Sequence, residues 1–392
     1  MSNQQQSAPR LSLAGYYWLE GLNSFGCTLF VCCVYFWTRQ RFHYSDTANL
    51  FLNATQGIVY VVAARCGGRL SDAIGYDRQI ILTLTAMVVC MVIGWLPPWF
   101  WTPFAVVAVY GALMGMFWPA LEAVIMHAPA ALTMPQRTGV YNMTWAVAAI
   151  GGYFCGGVVF QINPDLVLLV PGAVHVAELL LYARRAHAAS TAGKGAMDIP
   201  HRGDDVAPVL KQRFMYTAWL ANALGYFMIA GFLSLTPYLG LRLHLEPAYM
   251  IWLACTMYVA RSAAFVVFWK WERWHYRMAW SYLAMWVAPV ALSGIFFAPT
   301  VRLVFCALAV FGVALGLSYS GSLYYSLDYG EHKGEHGGLH EAILGLGVLA
   351  GPLVGGTASL ATGSTRAAQA AIVAVVFLTT AAGLWWISRR AR

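Results

Sequence analysis

About twelve runs of roughly 18 to 25 mostly apolar residues divide this chain. They lie near 13–37, 46–67, 79–96, 102–126, 139–160, 164–183, 214–239, 248–269, 279–297, 301–325, 339–362 and 368–388. At a helical rise of about 1.5 Å per residue, each run is long enough to cross a hydrocarbon layer of about 30 Å. Unpaired backbone amides and carbonyls are too costly in lipid to persist. The runs lack the alternation of barrel strands, so each is predicted to be a helix. With 60% hydrophobic and 10% charged residues, too little polar surface is available to cover a water-soluble globule of 392 residues. The fold class expected is an all-α membrane protein with twelve transmembrane helices, and its first partner is the lipid bilayer.

The bases set the orientation. Arg69, Arg78, Arg137, Arg184, Arg185, Lys211, Arg213, Lys270, Arg273, Arg277, Lys333, Arg389 and Arg390 fall in alternate connections or at the C-terminus. Only Arg39, Arg41, Arg242, Arg302 and Arg366 fall in the opposite ones. Both termini are therefore expected in the cytoplasm of a bacterial-type inner membrane. The net charge of +8 is a topology signal, and no basic patch on a soluble domain points to nucleic acid. The cysteines form no CxxC pair and read as small apolar-phase residues; no metal or other cofactor is implied.

One long polar stretch, 186–210, separates an N-terminal half (1–185) from a C-terminal half (211–392) and reads as a cytoplasmic linker. The halves echo one another at an offset near 200. Gly111 and Gly115 match Gly312 and Gly316; Gly152, Gly156 and Gly157 match Gly351, Gly355 and Gly356; Trp18-Leu19 matches Trp219-Leu220; Arg65 pairs approximately with Arg261. The order of these matches argues for a duplicated six-helix unit. The glycine runs are expected to let helix backbones approach closely.

Between the second and third runs lies GRLSDAIGYDR, Gly68 to Arg78. It resembles the signature loop of the major facilitator superfamily, Gly-x-Leu-Ala-Asp-Arg-x-Gly-Arg-Arg, with Gly68, Leu70, Asp72 and Gly75 at the family spacing. Ala73 and Tyr76 replace bases of that pattern. The resemblance implies two pseudo-symmetric six-helix bundles rocking about a central cavity. It also implies that Asp72 docks at the start of the eleventh span, at Gly337-Gly338, when the cytoplasmic side is closed. Arg69, Arg78 or Arg137 would pair with Glu122 in support. The string from Gly347 through Pro352 to Gly356 looks like the family's antiporter motif, but it stands on the eleventh span rather than the fifth. In the second half Phe268, Trp271 and Trp274 stand where Asp72, Gly75 and Arg78 would fall.

Ionisable groups inside spans default to function or to pairing. Glu20 shares a helical stripe with Asn23, Ser24 and Cys27, and a carboxylate on a cavity wall can take and release a proton as the cavity opens and closes. Arg261 lies deep enough in its span to hold an anionic substrate or a carboxylate such as Glu20 or Glu341; the other reading is that it reaches back to the cytoplasm. Asn49, Asn53, Gln56 and Tyr60 form a second stripe, either cavity lining or interhelical glue. Trp118, Asn142, Trp145, Asn222, Tyr226, Tyr319, Tyr324 and Tyr325 are further candidates for a substrate wall, against a background of aromatic packing. His332, His336 and His340-Glu341 lack the HExxH arrangement of a zinc enzyme, and no GxxxxGK[ST] loop is present for nucleotide-driven transport. The reading is a secondary active transporter of a small organic solute, working by alternating access with protons as the candidate coupling ion. The alternative is a lipid-handling or receptor-like membrane protein of the same fold.

Overall fold

The computed structural model describes residues 11–96, 99–127, 132, 134–189, 206–329 and 333–390. At 72, 126–127, 134–135, 185–189, 272, 327–329, 333–339 and 390 it describes the backbone alone. Among the described residues every regular element is helical. The order is α1 Leu13–Phe42, α2 Asp46–Ile74, α3 Tyr76–Trp95, α4 Thr102–His127, α5 Met134–Ile162, α6 Leu166–Ala189, α7 Pro208–Ser234, α8 Thr236–Arg242, α9 Pro247–Lys270, a short 3-10 turn Glu272–Trp274, α10 Met278–Phe297, α11 Val301–Tyr329, α12 Lys333–Thr362 and α13 Thr365–Arg390. Eleven of these helices are long and apolar enough to cross a membrane. The twelfth crossing is α2, 29 residues long, whose polar residues Asn49, Asn53 and Gln56 are buried within the protein. Helices α7 and α8 form one crossing, interrupted at Leu235 before Pro237 in the first turn of α8.

Serine hydroxyls define two helix starts. Ser12 Oγ accepts from Gly15 N at 3.2 Å, and Ser45 Oγ accepts from Ala48 N at 3.2 Å. Outward-facing Leu82, Val92, Ile93, Leu283, Val290 and Leu378 are exposed, as helices solvated by lipid require. An even number of crossings places the start of α1 and the end of α13 on one face, called here the terminal face.

Helices α1–α6 and α7–α13 build two pseudo-symmetric bundles. Across their boundary α2 packs on α12 and α5 packs on α9. These two seams exchange under the internal duplication, because α9 is the counterpart of α2 and α12 that of α5. A Cβ added to Gly57 of α2 would collide with the backbone of Val348 and Leu349 in α12, so the first seam is a backbone-to-backbone approach that a side chain would prevent. Toward the face opposite the termini the seams are tied by hydrogen bonds. Thr47 and Ser359 hydroxyls meet at 2.8 Å, Thr365 Oγ1 donates to Asp46 Oδ2 at 2.8 Å, and Trp252 Nε1 donates to the Phe154 carbonyl at 3.0 Å.

Three sequence expectations about boundaries are corrected. The segment 68–78 is not a loop: α2 runs on through Ile74, α3 starts at Tyr76, and Gly75 alone separates them, with φ of 91°. That φ is in the region open to glycine and strained for other residues, which accounts for a glycine at this position. The eleventh crossing begins at Lys333 rather than at Gly337-Gly338. Gly338 therefore sits past the first turn, where its amide is not one of the free donors of a helix start. Hydropathy marks where lipid begins, and a helix continues beyond it when its polar residues reach water. Of the linker expected over 186–210, residues 186–189 continue α6, 190–205 lie outside the described residues, and α7 begins at Pro208.

Candidate substrate site

A cavity of about 190 Å³ lies between the bundles, walled by α1, α2, α4 and α5 from one half and α7, α9, α11 and α12 from the other. Its charged walls are Glu20, Glu122, Glu341 and Arg261. Ser24, Cys27, Asn53, Gln56, Tyr60, Trp118, Trp145, Tyr226 and Tyr319 also line it, together with Tyr141, Tyr153 and Tyr258. Three acids and one base thus come from four different helices to one space, which sequence spacing alone cannot assemble.

Arg261 is 2% exposed and stands inside a box of rings. Its guanidinium carbon lies 4.8 Å from the Tyr319 centroid, 4.9 Å from Trp145, 5.6 Å from Tyr226 and 5.7 Å from Phe265. Among the described residues it makes no ion pair, and its Nε has no hydrogen-bond partner. A cation over an aromatic face gains about 0.5–2 kcal/mol, whereas the effective penalty for removing an ion from water is several kcal/mol. The rings therefore offset part of the cost and leave a cation short of an anion. Arg261 does not reach back to the terminal face, whereas Arg65, exposed on α2, is free to do so.

The acids are held differently. Glu20 Oε1 accepts from Ser24 Oγ at 2.7 Å, and its Oε2 has no partner. Glu341 Oε2 accepts from the Tyr60 hydroxyl, a bond joining α12 to α2 across the bundle boundary. Asn53 Nδ2 donates to the Ala230 carbonyl and to Ser234 Oγ, each at 2.9 Å, joining α2 to α7. Gln56 Nε2 points at Met114 Sδ, 3.9 Å away. Trp145 packs edge-on to Tyr319 at 5.4 Å and to Phe265 at 5.5 Å.

Several predicted wall residues face elsewhere. Asn23 leaves the Glu20 stripe and donates to Glu178 Oε2 of α6 at 3.4 Å. Asn49 bridges α1 and α2, accepting from Thr38 Oγ1 at 2.7 Å and donating to the Tyr35 carbonyl at 3.0 Å. Asn142 accepts from Trp145 Nε1 at 3.3 Å behind the wall, and Asn222 donates to Ser322 Oγ at 3.3 Å, joining α7 to α11. Tyr324 and Tyr325 pack near the terminal face with Trp274, His275 and Tyr276. His340 is buried against Ser322, 3.4 Å from its Oγ. His332 lies outside the described residues, as does the His336 side chain.

Comparison with known proteins assigns this architecture. The pattern of the family described as Major Facilitator Superfamily matches residues 20–339. The chain belongs to the major facilitator superfamily. Two solved structures similar to it are a point mutant of the nucleoside transporter NupG, with a TM-score of 0.73 at 10% identity, and NupG itself, with a TM-score of 0.70 at 11% identity. Each alignment covers 95% of this chain and 98% of the other; identities so low establish a shared fold alone. Among curated proteins none matches the chain. A superfamily member with this fold is an integral, multi-pass membrane protein and a secondary transporter of solutes.

For a superfamily member the signature segment bears on gating, and here its parts are arranged unexpectedly. Gly68 and Gly75 lie in or at the end of α2, Arg78 is exposed on α3, and the Asp72 side chain lies outside the described residues. Glu122 faces the cavity, and among the described residues no ion pair joins it to Arg69, Arg78 or Arg137. The reason is that Arg137 serves the end of α4: Nη1 donates to the Ile125 carbonyl and Nε to the Leu132 carbonyl, each at 3.1 Å. The Ile125 carbonyl, in the last turn of α4, would otherwise be a helix-end orphan. Asp77, next to Arg78, was not singled out from sequence. It is buried and accepts from Tyr16 at 3.0 Å and from Tyr182, fastening α3 to α1 and α6.

Also missed was a network inside the N-terminal bundle. His175 and Glu178 of α6 are fully buried, with Nδ1 to Oε2 at 2.8 Å. His175 Nε2 meets the Tyr110 hydroxyl at 2.8 Å, Tyr110 reaches Cys27 Sγ at 3.2 Å, and Cys27 borders the cavity. The rule that ionisable groups inside lipid-crossing helices have a role applies to both residues and would have found them.

Proposed function

We propose that the cavity between the bundles is the site through which a small organic solute passes by alternating access, with Glu20 carrying the coupling proton. The observation that supports this most is the shared wall. Eight helices, four from each bundle, contribute to one polar space, so any rocking of the bundles remodels it. Glu20 supports the coupling role because it lines that space and one of its carboxylate oxygens is unpartnered. An ion there is costly unless neutralised, and a proton is the simplest way to neutralise it. Glu341, bonded across the boundary to Tyr60, links the same chemistry to bundle separation. The distribution of bases supports a cytoplasmic terminal face. Asp72 and Gly75, at the α2–α3 joint, remain the proposed gate on that face.

The test is flux in proteoliposomes loaded with a pH-reporting dye, with aromatic carboxylates, sugars and, following the neighbours' name, nucleosides added outside. The expected result is dye acidification with one solute class. Glu20→Gln should abolish that acidification while keeping solute counterflow. Flux indifferent to both the pH gradient and Glu20→Gln removes the coupling assignment. Failure of every solute to move favours the lipid-handling or receptor-like alternative.

A further inference from the structure

We infer that this cavity accepts a small organic anion: a carboxylate carried on a flat aromatic or heteroaromatic ring. This rests on the transport reading above and adds the class of substrate to it. The charges of the cavity are not equivalent. Glu20, Glu122 and Glu341 can each be neutralised by a proton, but a guanidinium stays protonated in proteins. The one obligatory charge on the wall is therefore positive, at Arg261.

That cation is held ready for a ligand. It is 2% exposed, lines the cavity, has no ion-pair partner among the described residues, and keeps an Nε donor without an acceptor. Rings stand around it at 4.8–5.7 Å and the guanidinium hydrogen-bonds to the Tyr226 hydroxyl, which leaves the Nε–H edge still to be satisfied. A carboxylate meets such an edge with two parallel hydrogen bonds. Glu20 already accepts from Ser24 and Glu341 from Tyr60, so neither stands in as that partner in this conformer. A cationic solute would add a second positive charge beside Arg261. A neutral one could accept from the donor edge but would leave the buried charge uncompensated.

The rest of the wall selects the body of the solute. Trp145 and Tyr319, themselves edge-to-face at 5.4 Å, present ring surfaces beside the guanidinium. Ile229, Leu233 and Leu344 are apolar neighbours farther along the wall. The volume of about 190 Å³ exceeds the roughly 150 Å³ of an engineered apolar cavity that admits benzene. A single ring bearing a carboxylate is matched to that space.

The full chain in detergent is titrated, following tryptophan fluorescence, with benzoate, nicotinate and indole-3-acetate, each beside its neutral amide, and with benzylamine. At least one carboxylate should bind on the order of 100-fold more tightly than its amide. Arg261→Gln should lower that affinity by about 100-fold and amide binding by far less, so that the preference for carboxylate over amide collapses, and Arg261→Lys should fall between. Amides or benzylamine binding as well as the carboxylates, or none of the three carboxylates binding, overturns the inference; the wild-type comparison decides this even if a variant fails to fold. Counterflow of the bound acid in proteoliposomes separates the two claims. Binding without exchange removes the transport reading and leaves the anion site. Exchange of a neutral nucleoside with no carboxylate bound does the reverse.

Discussion

Replacing Gly57 with alanine puts a methyl group where two helix backbones already touch. The added carbon would lie 2.5 Å from Leu349 Cα and 2.7 Å from the Val348 carbonyl carbon, with Leu349 N also in collision. Ordinary contact begins at 3.4 Å, so α2 and α12 must part by about 1 Å, and neither neighbour is a flexible side chain that can swing aside. Overpacking of this kind costs about 1–3 kcal/mol. The cost falls only on the conformer in which these helices are in contact, because a state with the bundles parted at this seam has room for the methyl. The equilibrium between the two should shift by about 5- to 150-fold, at 1.4 kcal/mol per factor of ten. Disulfide trapping measures it. Thr47→Cys and Ser359→Cys replace hydroxyls that sit 2.8 Å apart, in a background where Cys66, Cys155 and Cys306, none of them buried, are serine. Gly57→Ala should slow formation of the cross-link severalfold with the melting temperature little changed. An unchanged rate in a folded protein would refute the claim that this contact belongs to one conformer of the transport cycle.

Other outcomes follow from the hydrogen-bond networks. Asn53→Ala deletes both bonds to α7 and should cost about 1–2 kcal/mol, lowering the melting temperature and slowing the same cross-link; no change in either would show that the bonds contribute nothing. Glu178→Ala strands His175, Asn23 and the buried space between them and should destabilise the protein by about 3 kcal/mol. The double variant His175→Leu/Glu178→Leu should recover much of that loss in a thermal melt. A double variant no more stable than the single one would mean that the pair is not the stabilising unit.

The sequence made the helical class and the number of crossings legible because lipid imposes both directly. Length and hydropathy state them without reference to tertiary contacts. Helix ends were less legible, since α2 and α12 extend beyond the apolar runs with polar residues. Spacing placed Glu20, Ser24 and Cys27 on the cavity wall. It erred at Asn23, which lies about 60° around the helix from Glu20 and meets α6 instead. Asn53, Gln56, Trp118, Trp145, Tyr226, Arg261, Tyr319 and Glu341 do converge on the cavity. Their convergence depends on how eight helices tilt, and no local pattern carries that information. The ring box around Arg261 illustrates the same limit: Tyr226, Trp145 and Tyr319 come from α7, α5 and α11.

The joint at Gly75 leaves no slack between α2 and α3. A longer connection would let α2 tilt while its neighbour stood still, but a single residue transmits displacement from one rod to the next like a rigid elbow. Since Asp77 immediately beyond it is bound to Tyr16 and Tyr182, a tilt of α2 is passed into α1 and α6, so the N-terminal half is geared to move as one body.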